Sequence, residues 1–462
     1  MRIGSLCSFD GKVDRKTYAL VGLLGIAIKQ NLDRLVGVYV FHYDESFFNY
    51  WKPLGKAARL NHLTNSEAKF LLVLLLLAIP FIWVGVALTV RRLRDAGQPL
   101  WLVSLFFIPF LNLVFFIVFC ALPSKDMLRQ NEAAPWPKVR SFDGIIPRGR
   151  AGSALLSIFL TTVIGLFFVL IGTKFIGTYG WGLFVALPFC LGMFSVLFYS
   201  YHERRSFSAC MGISVLPVII LGGVLVAIAI EGLICVLMAA PLGLGLAMLG
   251  GALGHSIQEY HWGQSHKPAV LSIAILSVPL LFGMEQEVAL RPHTFEVKSA
   301  IEVNAPPEKV WNKVVSFAEI PPPKELIFQA GIAYPIRAEI TGHGEGAVRH
   351  CVFSTGPFVE PIEVWDEPRL LRFSVTDNPA PLRELTPYAH IEPRHLHGYF
   401  VSHEGQFLLT ALPGGRTRLE GTTWYSHTIW PEAYWHFWSD YIIHRIHVRV
   451  LEHIQAEAEG RP

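Results

Sequence analysis

The chain has 462 residues, of which 52% are hydrophobic and only 16% charged, with a mean hydropathy of +0.41. That is too apolar for an ordinary soluble protein and long enough for two or three domains, so an integral membrane protein is expected. The formal net charge of +3 is spread along the chain without a basic block that could track a phosphate backbone, which excludes nucleic acid as a partner.

The first residues, MRIGSLCSFDGKVDRKTYAL, have no small-residue cleavage site behind a short apolar core, so the first apolar run is expected to be retained as a span. That run, 17–41, contains Lys29 and Asp33, four apart on one helix face and able to pair. Stronger spans are predicted at 68–90, 153–172 and 181–201, each close to the roughly 20 residues a bilayer requires. The stretch 209–254 is long enough for two helices, with Glu231 at the turn between them; the competing reading of Glu231 is an intramembrane proton or ion site. Gly243, Ala247 and Gly251 recur every four residues, a spacing that lets another helix approach closely and leaves room for a homo-oligomer through membrane helices. A shorter run at 269–284 leads out of the membrane.

The segment 100–122 is interrupted by Pro109 and Asn112. As one full span it would put Arg91, Arg92 and Arg94 on one side and Lys125, Arg129, Lys138, Arg140, Arg148 and Arg150 on the other, against the positive-inside tendency. As a re-entrant hairpin it keeps both groups cytoplasmic and sends the C-terminal domain to the extracytoplasmic side. Five of the six cysteines precede residue 240, which leaves Cys351 alone in the C-terminal domain, with no internal disulfide there.

Phe9, Gly11, Lys12, Arg15 and Tyr18, together with Arg91, Arg92, Leu93, Arg94, Asp95, Gly97, Trp101, Ile108 and Pro109, form a pattern that resembles the bacterial membrane family called domain of unknown function 805. Lys12 stands where that family has arginine, and Arg94 where it has histidine, so a pH-sensing role there is disfavoured. The resemblance implies a multi-pass protein of a bacterial cytoplasmic membrane but carries no activity. Arg91, Arg92, Arg94 and Asp95 make a charged cluster at a membrane face that could meet lipid headgroups, or serve as a topology anchor with an internal Arg–Asp pair. The domain reading is 1–125 for this region, 126–152 for a polar basic linker, 153–290 for further transmembrane helices and 291–462 for the terminal domain.

From residue 294 the pattern turns to period two. TFEVKSAIEV alternates; NAPPEKVWNKVV follows with Asn304 as the expected helix cap and Val310, Trp311, Val314 and Val315 as the apolar stripe. Strands are predicted at 336–341, 345–354, 357–366, 369–376, 398–412 and 416–428, an antiparallel meander. The chain ends in a long helix opened by Pro431 and Glu432. Phe437, Tyr441, His444, Val448 and Leu451 are read as one apolar stripe on it, and Trp435, Trp438, Ile442 and Ile446 as another, so the helix should be gripped on two sides.

This order of elements, with Ala305, Pro306, Pro307, Val310 and Trp311 after the first strand, Trp365, Pro368, Leu371 and Phe373 in a strand pair, and the hairpin at Gly414–Gly415, resembles the START-like SRPBCC superfamily of polyketide cyclase/dehydrase type. The resemblance implies an α+β helix-grip domain with an antiparallel sheet wrapped on the C-terminal helix, behind a multi-pass α-helical membrane region. It further implies a cavity for a lipid or another hydrophobic small molecule, lined here by Phe373, Phe407, Tyr425, Trp438, Tyr441 and His444. No catalytic residue transfers and no cofactor is implied. His395 and His397 would hold zinc only if they were alternate residues of a strand; with no Cys-x-x-Cys or His-Glu-x-x-His spacing beside them, and His390 and His403 merely nearby, the sequence predicts no metal site. The leading expectation is a binding or transfer module acting on membrane lipids or a hydrophobic ligand, more a carrier than an enzyme. The alternatives are a cyclase/dehydratase-like enzyme and a structural or sensory membrane protein with a filled cavity.

Overall fold

A computed structural model describes residues 8–41, 65–107, 111–122, 124, 145–177, 179–259, 293–388, 391 and 393–460. The chain divides into two compact units: residues 1–225 with 239–290, and residues 226–238 with 291–462.

The described helices of the membrane region are α1 (Arg15–Leu35), α2 (Asn65–Ala96), α3 (Leu111–Ala121), α4 (Arg150–Leu170), α5 (Leu187–Tyr199), α6 (Phe207–Ala227) and α7 (Leu233–Glu259). Asp14 opens α1, its carboxylate accepting a hydrogen bond from the Lys16 backbone N–H at 3.1 Å. Leu20, Leu23, Leu24 and Ile28 of this helix are exposed, while Lys29 and Asp33 are buried and paired. Apolar outside and charged inside is the inverse of a helix in water, and it suits a hydrocarbon surround.

Among the described residues, five segments are long and apolar enough to cross a membrane: Leu72–Ala96, Arg150–Lys174, Gly182–Tyr199, Phe207–Ala227 and Leu233–Gln258. The expected turn at Glu231 is present, between α6 and α7. The segment 100–122 is not one continuous span. It is a 3-10 stretch, Leu100–Phe107, and then α3, whose 11 residues rise only about 16 Å against a hydrocarbon core of about 30 Å. The break expected around Pro109 falls on residues 108–110, outside those described, as does the run 269–284.

Helix α5 is buried on all sides, every one of its residues included. Small residues allow this. A Cβ on Gly192 would lie 2.0 Å from the Ala247 carbonyl oxygen, and one on Gly250 would lie 1.9 Å from the Phe189 carbonyl oxygen. Gly251 is likewise held against Ser214 of α6. The Gly243–Ala247–Gly251 row thus packs helices within one chain.

In the second unit, seven antiparallel strands are ordered β1-β7-β6-β5-β4-β3-β2: β1 (Thr294–Val303), β2 (Pro335–Thr341), β3 (Val348–Phe353), β4 (Gly356–Asp366), β5 (Leu370–Ser374), β6 (Phe400–Leu412) and β7 (Arg416–His427). Helix α8 (Pro307–Val315), the single turn α9 (Leu326–Gln329) and the final helix α10 (Glu432–Ala458) complete it. The chain therefore has the expected architecture: apolar helices, then an antiparallel sheet with a long C-terminal helix in helix-grip order.

Asn304 does not cap α8. The cap position is Pro306, with Pro307 as the first helical residue, and the Asn304 N–H donates instead to the Glu459 carboxylate at 2.7 Å. Proline loses nothing at either place, because the first N–H groups of a helix have no intrahelical acceptor. Val310, Trp311 and Val314 are buried in the principal core with Leu371, Phe373, Leu419, Val450, Leu451 and Ile454.

Helix α10 is buried on two sides, but one face differs from expectation. Ile443, Val450, Leu451 and Ile454 point to the sheet, and Ile442 and Ile446 pack on a second cluster of Ile234, Phe328, Ile332, Leu382 and Leu396. Of the expected stripe, Phe437 and Tyr441 lie on the outward side, 65% and 46% exposed, His444 stands at its border with the sheet, Val448 is half-buried, and Leu451 is buried in the core. At about 100° per residue, that stripe and the buried face through Ile443 and Val450 are roughly a third of a turn apart. The aromatic part of the expected stripe is the part that stays outside, while its last member, Leu451, reaches the core.

Replacing Gly192 by Leu drives a side chain into helix backbone that cannot yield. The variant is expected to elute from detergent as aggregate, whereas Gly245→Leu, where a Cβ meets nothing within 4 Å, is expected to elute as the native protein does in size-exclusion chromatography.

Candidate functional site in the grip interior

The charged cluster of the membrane region is mostly internal. Arg92, at 0% exposure, donates from Nε to the Phe119 carbonyl at 2.9 Å and from its other nitrogens to the Leu122 carbonyl and the Asp95 carboxylate. It closes the C-terminal end of α3, where carbonyls lack intrahelical partners. Arg91 and Asp95 are also buried, and Ser124 donates to Asp95. Arg94 is exposed and donates to the Phe9 carbonyl, while the Tyr18 and Thr89 hydroxyls meet at 3.3 Å, so the two motif-bearing stretches bind each other. Gly97, at φ +65°, ends α2 in the left-handed turn that glycine favours. Three of the four charged residues are thus buried, and the expected internal Arg–Asp pair forms between Arg92 and Asp95.

In the second unit the inner face of the sheet is set by cross-strand register. One row runs Leu371, Phe407, Gly421, Ser299 and the next runs Phe373, Gly405, Thr423, Val297. The glycines make the face concave: the Phe373 ring occupies the place of a Cβ at Gly405, and the Phe407 ring lies over Gly421. Of the six predicted lining residues, Phe373, Phe407 and Tyr425 are on this face. Trp438 is half-buried, its indole N–H without an acceptor among the described residues. Tyr441 lies on the outward flank of α10, and His444 at the edge of that flank, exposed but within hydrogen-bond distance of the buried Ser299.

The interior is more polar than the sequence suggested. Ser299 Oγ lies 2.8 Å from His444 Nδ1 and 3.2 Å from His447 Nδ1, and Thr423 Oγ1 lies 2.7 Å from His447 Nε2. Nearer the start of α10, Tyr425 donates to Asp440 at 2.7 Å, its oxygen 2.9 Å from His436 Nδ1, with Phe295 stacked on His436. Burial pushes His427 and His447 down to about 4, and burial with the Asp440 hydrogen bond pushes the Tyr425 phenol up. Toward β3 and β4, Arg349 and Glu360 are inward cross-strand partners, both buried and ion-paired, with Phe317, Phe373 and Phe407 around the guanidinium at 5.5–5.6 Å. Burial works against the Arg349 charge, but the Glu360 carboxylate outweighs it and its pKa rises; burial also raises that of Glu360.

Sequence reasoning missed His436, Ser299, Arg349 and Glu360, and took His447 for an ordinary core or surface residue of the last helix. The alternation in β1 did point Ser299 inward with Val297 and Ile301. Arg349 gave no signal, because VRHCVF alternates equally well in either phase. The histidine pair lies outside a strand, as expected: Arg394–Leu396 is a 3-10 turn ahead of β6, so His395 and His397 do not share a strand face. His395 is buried instead beside Cys235 and Glu384, which among the described residues form a group of metal-type donors. His390 lies outside the described residues.

Residues 6–130 match the family model described as Protein of unknown function (DUF805). No curated protein matches the chain. Among solved structures, norcoclaurine synthase from Thalictrum flavum, a point mutant in complex with a transition state analogue, is 12% identical, covering 37% of this chain and 98% of that one with a TM-score of 0.25. The Zhui aromatase/cyclase from a Streptomyces species is 17% identical over 36% of this chain and 94% of that one, with a TM-score of 0.24. The protein XoxI from Bacillus cereus is 15% identical over 35% and 94%, also with a TM-score of 0.24.

Arg349→Met leaves Glu360 buried without its cation and is expected to cost about 3–5 kcal/mol, most of it recovered in Arg349→Met/Glu360→Leu; hydrogen exchange of the β3–β4 amides reads both. Because His427 and His447 stay neutral in the fold while the unfolded chain takes up protons below about 6.5, stability is complete above that pH and falls from there toward 4. At pH 5 each is expected to cost about 2 kcal/mol. Protection of the β7 amides, taken relative to their intrinsic exchange rates, which themselves slow as pH falls, should decrease between pH 7.5 and 5, and His447→Gln should flatten that dependence.

Proposed function

We propose that the chain is an integral membrane protein whose helix-grip domain binds a lipid or another hydrophobic small molecule. What carries the reading is the concave inner face, where the rings of Phe373 and Phe407 stand over glycine positions and a short polar row of Ser299, Thr423, His444 and His447 joins sheet to helix. Such a face suits an apolar body with one hydroxyl or carbonyl: apolar walls supply affinity, and a few fixed polar groups set orientation. His447, neutral at physiological pH, can donate to or accept from such a group without the cost of a buried charge. The five apolar helices support a lipid source for the ligand.

A cyclase- or dehydratase-type reading is favoured by one constellation, the Tyr425 hydroxyl between His436 and Asp440, which has the parts of an acid–base relay.

The test is solvent extraction and mass spectrometry of the full chain purified from membranes in mild detergent. A single apolar species near one per chain is expected, depleted several-fold in Thr423→Phe, which fills the row beside Gly405. A folded wild-type protein that yields only bulk lipid in membrane proportions would sink the binding reading. Conversion of the extracted molecule by wild type but not by Tyr425→Phe would move the assignment to an enzyme.

A further inference from the structure

Three stretches of the second unit place chemically distinct donors together. Cys235 is in the first turn of α7, Glu384 lies between β5 and β6, and His395 is in the 3-10 turn before β6. Cys235 Sγ lies 2.8 Å from His395 Nε2, His395 Nε2 lies 3.8 Å from Glu384 Oε1, and all three ligand atoms fall within 4.8 Å of one another. From these donors we infer that Cys235, His395 and Glu384 form a binding site for a thiophilic divalent cation, zinc foremost, with Glu231 orienting the histidine.

The first argument is charge. The Glu384 side chain is 0% exposed, and neither of its oxygens has an in-line hydrogen-bond donor among the described residues. Glu231 is buried beside it. His395 is buried between the two acids, its ring the nitrogen donor such a cation takes. Two buried carboxylates brought this close to a thiol and an imidazole are an arrangement that a divalent cation stabilises.

The second argument is orientation. His395 turns Nε2 toward Cys235 and Glu384, and its Nδ1 lies 3.2 Å from Glu231 Oε2. A carboxylate behind the far ring nitrogen is the usual support of a metal-bound histidine, fixing ring and tautomer. The third is room: a Cβ on Gly232 would sit 1.9 Å from Glu384 Oε2, so only glycine admits the carboxylate there.

Bonds of about 2.3 Å to sulfur and about 2.0–2.1 Å to nitrogen and oxygen at tetrahedral angles require S···N of about 3.5 Å and N···O of about 3.3 Å. The observed separations bracket these, so binding needs side-chain shifts under about 1 Å. Thiolate, imidazole and carboxylate together favour zinc over magnesium or calcium. Three protein ligands leave a fourth position for water or another donor atom.

The experiment uses full-length protein in detergent, purified without chelator, its zinc counted by mass spectrometry. The same protein is then stripped and reloaded with cobalt(II) alone. A single zinc per chain and a near-ultraviolet thiolate-to-cobalt band are expected. The band should vanish in Cys235→Ser, and Glu231→Gln should keep the stoichiometry with affinity about 10–100-fold weaker. No thiolate band from folded wild type in excess cobalt(II), or a band that survives Cys235→Ser, would overturn the assignment. The wild-type spectrum decides without reference to how any variant folds.

Discussion

The C-terminal domain depends on one helix being buried twice. With 27 residues and a single period, α10 meets the sheet through Ile443, Val450, Leu451 and Ile454 and a second cluster through Ile442 and Ile446. Arg449 joins the two surfaces: it is buried, donates to the Pro335 carbonyl at 3.3 Å and the Pro321 carbonyl at 2.6 Å, and lies over the Tyr334 ring. The proline-rich loop is thus fastened to the helix through carbonyls whose chain offers few N–H donors of its own. Loosening α10 would open both cores together.

A second constraint follows from closing that grip around polar groups. Each buried donor or acceptor has to find a partner or forfeit its hydration. The Ser299–His447–Thr423 and Tyr425–Asp440 contacts meet that demand with neutral or shared-proton groups, while Arg349–Glu360 meets it with full charges that are tolerable only as a pair. The interior is therefore graded along α10, from titratable groups near its start to apolar packing and a fixed ion pair toward its end.

Much of the fold could be read from sequence, because alternation and turn residues are local signals. All seven strands lie close to where period two put them, as does the turn at Glu231. The failures have physical causes. The phase of α10 was misjudged because Phe437 and Tyr441 weighed as much as Ile443 and Val450, and only tertiary contact decides which apolar face is covered. Asn304 is a good cap by type, yet Pro306 was better placed. Arg349, and the approach of Cys235 to Glu384 and His395, depend on contacts between segments far apart in the chain, which no local window contains.

The sheet order also leaves β1 with a strand neighbour on one side alone, β7. Its outer residues are Glu296, Lys298 and Glu302. Glu296 accepts from Trp424 Nε1 and pairs with Lys298, and Glu302 pairs with Arg416. Charges alternating along an edge strand discourage a second sheet from adding to it, since pairing would strip their hydration. Proteins held in a membrane diffuse in two dimensions and meet often, so an unguarded edge would invite neighbouring copies to zip together. The acidic and basic residues of β1 make that edge a poor template for a strand from another copy.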